Sequence, residues 1–489
     1  MQRKILWLAL GLSLALPAAA QGDETTVDAV SGATEHPDTT RAQLKAELKA
    51  EILEELRQES KTSRGTSNTT HAEPPKPRLT IGGYGEAVAS RNFFSDDYKK
   101  YQDAHLHKGE SHGRFDLPHV VIFLGYDFGR GWSMGSEIEF EHGGTESAVE
   151  IEEEEAGEYE SEIERGGEVA LEQFWIQKSF SPALNLRMGH IIVPVGATNM
   201  HHMPTEFFGV YRPEGENTIL PCTWHETGIS LWGMLGRQWR YEVMFLPGLD
   251  SDRFNSKGWI HDGAGSPYEF KIGNAYAGAF RIDNFSVPGL RLSVSGYGGN
   301  SFSNTLYPQT NSRYQGVKGT VLIGAFDFAY DAHNWIVRGN FDYGHLSDAD
   351  MITAFNGSMS ASSVSSKQAV ASDAIATGIE AGYDFFSLSP KLHDQDKRFY
   401  LFGRYEYYDS MFKTPARVQH YNWCGRQRIA AGINYRPMKS IVIKAEYSIG
   451  LLNANSYTYT DSSGATCIGH YNNEPAISIG IAYSGMFSR

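Results

Sequence analysis

Between residues 79 and 486 the chain alternates apolar and polar positions in sixteen short runs. In 439–450, Ile441, Ile443, Ala445, Tyr447 and Ile449 share one face, and Lys444, Glu446 and Ser448 the other. In 475–486, Ile477, Ile479, Ile481 and Tyr483 alternate with Ser478, Gly480, Ala482 and Ser484. In 334–345, Trp335, Val337, Phe341 and Tyr343 oppose Arg338, Asn340 and Asp342. A period of two marks a strand whose two faces meet different surroundings. The pattern predicts strands at 79–91, 115–128, 131–143, 168–179, 183–192, 224–234, 237–246, 274–284, 289–298, 318–331, 334–345, 373–385, 397–409, 425–436, 439–450 and 475–486.

The gaps between these runs go long, short, long, short. Gly129-Arg130, Leu235-Gly236, Ala332-His333 and Pro437-Met438 are tight turns. The long gaps are 92–114, 144–167, 193–223, 247–273, 299–317, 346–372, 410–424 and 451–474. Soluble loops are usually shorter, and a sandwich or propeller seldom keeps such an alternation. Tight turns at one rim and long loops at the other describe an all-β transmembrane barrel of about sixteen antiparallel strands, with apolar residues toward lipid and polar ones toward water. Its even strand count places both ends of the barrel on one side. About 16–18 strands leave an aqueous channel, so the fold carries a transport expectation. The longest gap, 193–223, holds 31 residues and is the expected constriction.

Composition agrees once the strands are recognised. The mean hydropathy of −0.39 resembles that of a soluble protein, but only every second residue of a strand needs to face lipid. The 26 Tyr, 26 Phe, 9 Trp and 51 Gly suit strands, aromatic girdles and bends.

Ahead of the barrel, residues 1–20 read as a signal peptide, with Arg3 and Lys4, an apolar core at 5–16 and Ala18-Ala19-Ala20 before Gln21. That core is too short to span a bilayer. Residues 21–40 are polar and expected to be disordered. Residues 41–60 are expected to be a periplasmic helix with Leu44, Leu48, Ile52 and Leu56 on one stripe and Leu53 beside it, either a short coiled coil joining subunits or a solitary spacer. Residues 61–78, with Pro74, Pro75 and Pro77, form a linker, and 79–489 the barrel domain. The location expected is the outer membrane of a Gram-negative bacterium.

Charge and cysteine usage narrow the chemistry. Residues 146–168 carry eleven Glu against Arg165, so ten of the fifteen net negative charges sit in one long loop. A solvated charge run is expected there, and no basic face suggests nucleic acid. Cys424 and Cys467 both fall at the long-loop end, where a bridge or two free thiols fit equally, and Cys222 is left over. No CxxC, GxSxG, HExxH or phosphate-loop motif occurs, so neither a cofactor nor an enzyme is expected.

A channel's chemistry lies in its lining. By the alternation, the inward basic residues are Arg187, Arg240, Arg281, Arg291, Arg338, Arg404, Arg426, Arg428 and Lys444. The inward acidic ones are Glu137, Glu139, Glu141, Glu242, Asp283, Asp342, Glu380 and Glu446. Most are expected to keep the lumen wet and to pair with one another. Arg426, Arg428 and Arg436 form the densest basic stripe and are expected to face the strand of Glu446. His201, His202, Glu206 and Arg212 fall in the constriction loop; the histidine pair is read as polar lining, without a metal site, unless His190 or His225 converges on it.

The stretch 183–198, ALNLRMGHIIVPVGAT, with Arg187-Met188-Gly189 ending a strand and Pro194-x-Gly196 after it, resembles the phosphate-selective porins O and P. The resemblance implies a homotrimeric diffusion channel in outer-membrane lipid, for small solutes or ions, with the third long loop folded into the lumen and an anion or phosphate preference. The family's arginine ladder and lysine cluster have no residue-by-residue match here, and His190 stands where the family carries Lys or Gln. The second reading is a surface receptor, adhesin or envelope tether using the long loops or the 41–60 helix.

Overall fold

The computed structural model of the chain describes residues 78–95, 111–142, 147–152, 160–165, 169–265, 270–305, 312–359, 366–393, 395–454, 456–470 and 473–488. The expected signal peptide, polar segment and helix lie outside the described residues, as does the linker except for Arg78, where the first strand starts.

Sixteen strands form the wall: β1 Arg78–Asn92, β2 His119–Gly129, β3 Trp132–Glu141, β4 Val169–Ser181, β5 Leu184–Ile192, β6 His225–Leu235, β7 Trp239–Pro247 and β8 Tyr276–Val287 in the first half. Then come β9 Leu290–Asn300, β10 Thr320–Ala332, β11 Trp335–Leu346, β12 Asp373–Asp384, β13 Arg398–Lys413, β14 Gly425–Met438, β15 Ile441–Leu452 and β16 Glu474–Ser488. Each pairs antiparallel with its sequence neighbours. β1 pairs with β2 on one side and with β16 on the other, from Ile81 opposite Ser488 to Asn92 opposite Ala476, which closes the barrel. Closure leaves no open edge, as a strand wall in lipid requires. A further segment, His112–Asp116, also pairs with β1 and is separated from β2 by Leu117-Pro118. Pro118 has no N–H to donate to the ladder.

Tight turns join the strands at one rim. His333 and Asn334, both at positive φ, connect β10 to β11, as a two-residue hairpin with the strands' right-handed twist requires. One connection at this rim is longer than the pattern implied: 385–397 carries a 3-10 turn, Phe385–Leu388, and a helical turn, Pro390–His393. The acidic segment also differs from a featureless charge run. Ser147–Glu152 and Glu160–Arg165 pair as a hairpin, with Val149, Ile151 and Ile163 alternating with glutamates. A second loop hairpin joins Ser456–Thr460 to Thr466–His470.

The outer face is apolar. Leu231, Phe245, Phe280, Leu322, Ile443 and Ile479 expose 43–56% of their surface and belong to a belt that runs around the wall. The sequence pattern placed these residues toward lipid, and such a face would be a severe aggregation hazard in water. The inner face is polar over much of its height: Glu86, Glu242, Arg281, Asp283, Asp327 and Asp342 are all buried.

The inner wall is not polar throughout, which corrects the expectation of a wholly water-lined lumen. Toward the long-loop rim, inward residues Met244, Leu246, Val321, Ile323 and Leu346 pack against loop residues Leu249, Phe254, Trp259, Ile260, Phe302 and Phe355. The long loops fold into the barrel mouth and bury their apolar side chains there, where no lipid would cover them.

Candidate functional site

Residues 193–224 enter the barrel and stay inside it. The neck is closed by Asn199, whose Nδ2 donates to Val193 O (2.8 Å) and whose Oδ1 accepts from Trp224 N (2.6 Å). Val193 N donates to Trp224 O (2.9 Å) beside it. The chain turns at Gly196, φ 84°, where a Cβ would fall 1.9 Å from Glu216 Oε1. Only glycine fits that approach. A helix, α1, Glu214–Ile219, then returns the chain toward β6. Burial pushes the Glu216 carboxyl up to about 7, and Thr198 N donates to it (3.1 Å).

The loop crosses the lumen and is held by the wall opposite. Lys444 Nζ donates to Phe207 O (3.1 Å) and Gly209 O (2.6 Å). Asn434 donates to Phe208 O (2.7 Å) and Arg436 to Thr205 O (2.8 Å). Carboxylates take the loop's N–H groups: Glu380 from Phe208 (3.3 Å), Glu446 from Val210 (3.2 Å) and Glu406 from Gly215 (2.9 Å). Phe208 stacks on Phe402, packs against Tyr400 and lies over Gly382, with the Arg338 guanidinium 5.2 Å from its ring. Arg436 and Tyr400 lie near the tight-turn ends of their strands, so the loop traverses most of the barrel's height.

The predicted lining residues are therefore mostly engaged. Arg404 contacts Glu406 (3.2 Å) and Glu446 (3.4 Å), and Arg338 contacts Glu380 (2.5 Å). Arg428 pairs with Glu214, and Arg426 lies 3.9 Å from Glu214 and 3.7 Å from Glu474. Arg428 also donates to Ser448 on the strand of Glu446 (3.1 Å), while the ion pairs of Arg426 and Arg428 go to the loop helix and β16, and Glu446 pairs with Arg404. Elsewhere on the wall, Arg281 bonds Asp283 (2.8 Å), Asp327 (2.9 Å) and Gly196 O (2.9 Å), and Arg291 shares Asp327 (2.8 Å). Arg240 joins Asp283 and Glu242 to this network. Arg187 lies between Trp175 and Trp232, its charge over both rings, and donates to Gln177. All three cysteines are free, and Cys424 is buried.

Of the loop candidates, His201 lies 3.5 Å from Glu206, and Arg212 donates to His202 O (3.2 Å). His190 and His225 contact each other on β5 and β6. His202 instead faces two wall glutamates, Glu137 and Glu172. Glu172 escaped the sequence reading. It is the extra residue of a β-bulge, since Glu137 pairs with Gln173 but Ile138 pairs with Leu171. A bulge shifts the inward face by one residue and re-aims a side chain. The signal was present: outward Val169 and Leu171 are odd-numbered, outward Phe174 and Ile176 even-numbered. Glu214 and Glu406, which hold the loop helix, were missed as well.

No family model matches the chain. A protein of Aquifex aeolicus (strain VF5) described as uncharacterized is 26% identical over 381 residues, covering 76% of each chain. Solved structures similar to it include an anion-selective porin from Comamonas acidovorans, at 10% identity, 84% of this chain, 100% of that chain and TM-score 0.47. The outer membrane channel DcaP of Acinetobacter baumannii is similar at 11% identity, 86% and 99% coverage and TM-score 0.44. OmpT of Vibrio cholerae, an outer membrane protein solved in a trimer form, is similar at 10% identity, 83% and 99% coverage and TM-score 0.42. The expectation that the chain is not an enzyme is corrected. The barrel fold by itself leaves catalysis open, and the lumen loop sets buried His202 beside wall carboxylates Glu137 and Glu172.

Proposed function

We propose that the chain is an outer-membrane channel through which small solutes or ions diffuse, with its passage narrowed by residues 193–224. The observation that carries this reading is a closed sixteen-strand wall with an apolar outer belt and a long loop seated across its interior by side-chain bonds from β12–β15. A barrel of this strand number encloses more space than its own side chains fill, and a loop inside it sets the bore. A homotrimer is the proposed assembly, as in the trimer form recorded for OmpT. The resemblance to phosphate-selective porins makes an anion preference the finer proposal. The pairing of Arg281, Arg338, Arg404 and Arg428 with carboxylates argues for a weak one.

The test is single-channel conductance of the folded protein in planar bilayers, with selectivity read from the reversal potential in a salt gradient. Absence of conductance from folded protein overturns the channel reading. One observation favours a surface receptor instead: the long loops share an apolar core in the barrel mouth, which gives the outer rim a fixed shape. A folded, non-conducting barrel would support that reading.

A further inference from the structure

Glu137 on β3, Glu172 on β4 and His202 in the lumen loop bring one nitrogen and two carboxylate oxygens within 4.8 Å of one another. Each is oriented from behind by a group that leaves its other atom facing the cluster. His202 Nδ1 donates to Asn199 O (2.8 Å), which leaves Nε2 with its lone pair. Thr223 Oγ1 donates to Glu172 Oε1 (2.6 Å), and Gln173 Nε2 donates to Glu137 Oε2. Backing of this kind around a histidine and carboxylates is the arrangement that fixes metal ligands.

A second, independent observation points to a ligand. Glu172 is 1% exposed, its Oε2 meets no donor among the described residues, and the carboxylate of Glu139 lies against it. A buried carboxylate oxygen without a donor is costly unless a proton or cation meets it. The bulge at Glu172 turns both it and Gln173 inward, which a regular strand would not do. The surroundings are anionic: Glu137, Glu139 and Glu172 lie together, the Arg212 guanidinium stands near Glu139 and Glu172, and Glu139 is held by His119 (2.7 Å). The Tyr84 hydroxyl is also buried without a partner, its ring edge-on to His202.

We propose that Glu137, Glu172 and His202 bind a divalent transition-metal ion of the zinc class, which clips the lumen loop to the β3–β4 wall. One imidazole with carboxylates suits zinc, cobalt or manganese; calcium takes six to eight oxygens, and copper(I) prefers sulfur. The ion bridges the loop and the wall, so its binding tightens the seat of 193–224.

The test uses full-length folded protein in detergent, stripped with chelator and titrated with Zn²⁺ by calorimetry, and with Co²⁺ by visible absorption. Saturable binding of one Zn²⁺ per chain, with cobalt bands of nitrogen–oxygen coordination, is expected. Glu172→Gln and His202→Ala should each weaken binding at least tenfold, and His201→Ala should leave it unchanged. Glu137→Gln serves if either of the first two fails to fold, as judged by heat-modifiable gel mobility. The proposal is overturned if the wild type shows no saturable binding, or if binding survives in His202→Ala and Glu172→Gln. Loss on His119→Ala alone also overturns it, because the ion would then sit at His119, Glu139 and Glu141. Conductance is not the readout, so failure here leaves the channel reading standing.

Discussion

Truncating Phe208 to alanine should unseat the lumen loop without opening the barrel wall. Its ring is 1% exposed and lies 5.3 Å from Phe402, 5.4 Å from Tyr400 and 5.2 Å from the Arg338 guanidinium. Removing a buried phenylalanine side chain costs about 3–5 kcal/mol. At 1.4 kcal/mol per tenfold, the seated-to-unseated ratio falls by roughly two to three and a half orders of magnitude. The neighbouring bonds from Lys444, Asn434 and Glu380 remain, each worth about 1 kcal/mol net, and they no longer hold the loop as firmly. No ladder bond of the sixteen strands involves Phe208, so heat-modifiable mobility should match the wild type. Single-channel recording should show a larger mean conductance with added flicker, and protease should cut within 193–224 sooner. Gly382→Val attacks the same seat from the wall, because a Cβ there would lie 2.4 Å from the Phe208 ring, and it should reproduce the effect. A folded Phe208→Ala barrel with wild-type conductance, flicker and protease resistance would refute the reasoning that this ring anchors the constriction.

Arg281→Met leaves Asp327 and Asp283 buried with only Arg291 and Arg240 to neutralise them; we expect a loss of about 3 kcal/mol, read as a lower midpoint of heat-induced unfolding. Glu216, pushed up to about 7 by burial from an ordinary value near 4.5, holds its proton more tightly in the folded loop than in an unseated one. Loop stability should therefore be highest below about pH 4.5, fall as pH rises toward 7 and level off above it; Glu216→Gln should flatten that dependence in protease-protection assays. Replacing Arg428 by alanine leaves Glu214 with the longer contact to Arg426 and the Tyr408 hydroxyl, and the reversal potential should move toward cation preference. Maleimide should label Cys467 in the folded protein before Cys424, whose thiol is buried and pushed up to about 12; equal rates would contradict that burial.

The wall was legible because a strand's period of two leaves a direct trace wherever its faces meet lipid and water. Ile441 to Ile449 and Ile477 to Tyr483 are such traces, and each strand begins and ends within a few residues of its predicted place. The trace weakens where both faces are apolar. In Val321-Leu322-Ile323, Leu322 meets the outside while Val321 and Ile323 meet packed loops, so the run carried a hint of a filled mouth that strict alternation did not convey. At Glu172 the bulge changes the parity of the strand, so a fixed period carried back from Gln173, Trp175 and Gln177 would turn its side chain outward.

The sequence by itself determined the strand count, the rim at which the chain turns tightly and the loop long enough to enter the lumen. These follow from local alternation and from gap length, which are properties of neighbouring residues. Only the tertiary structure decided which wall receives that loop, that Lys444, Asn434 and Arg436 bind its carbonyls, and that Arg428 answers Glu214 rather than Glu446. Nor could spacing place His202 beside Glu137 and Glu172. Barrel closure brings together residues far apart in the chain, and their pairing depends on the register of every strand between them.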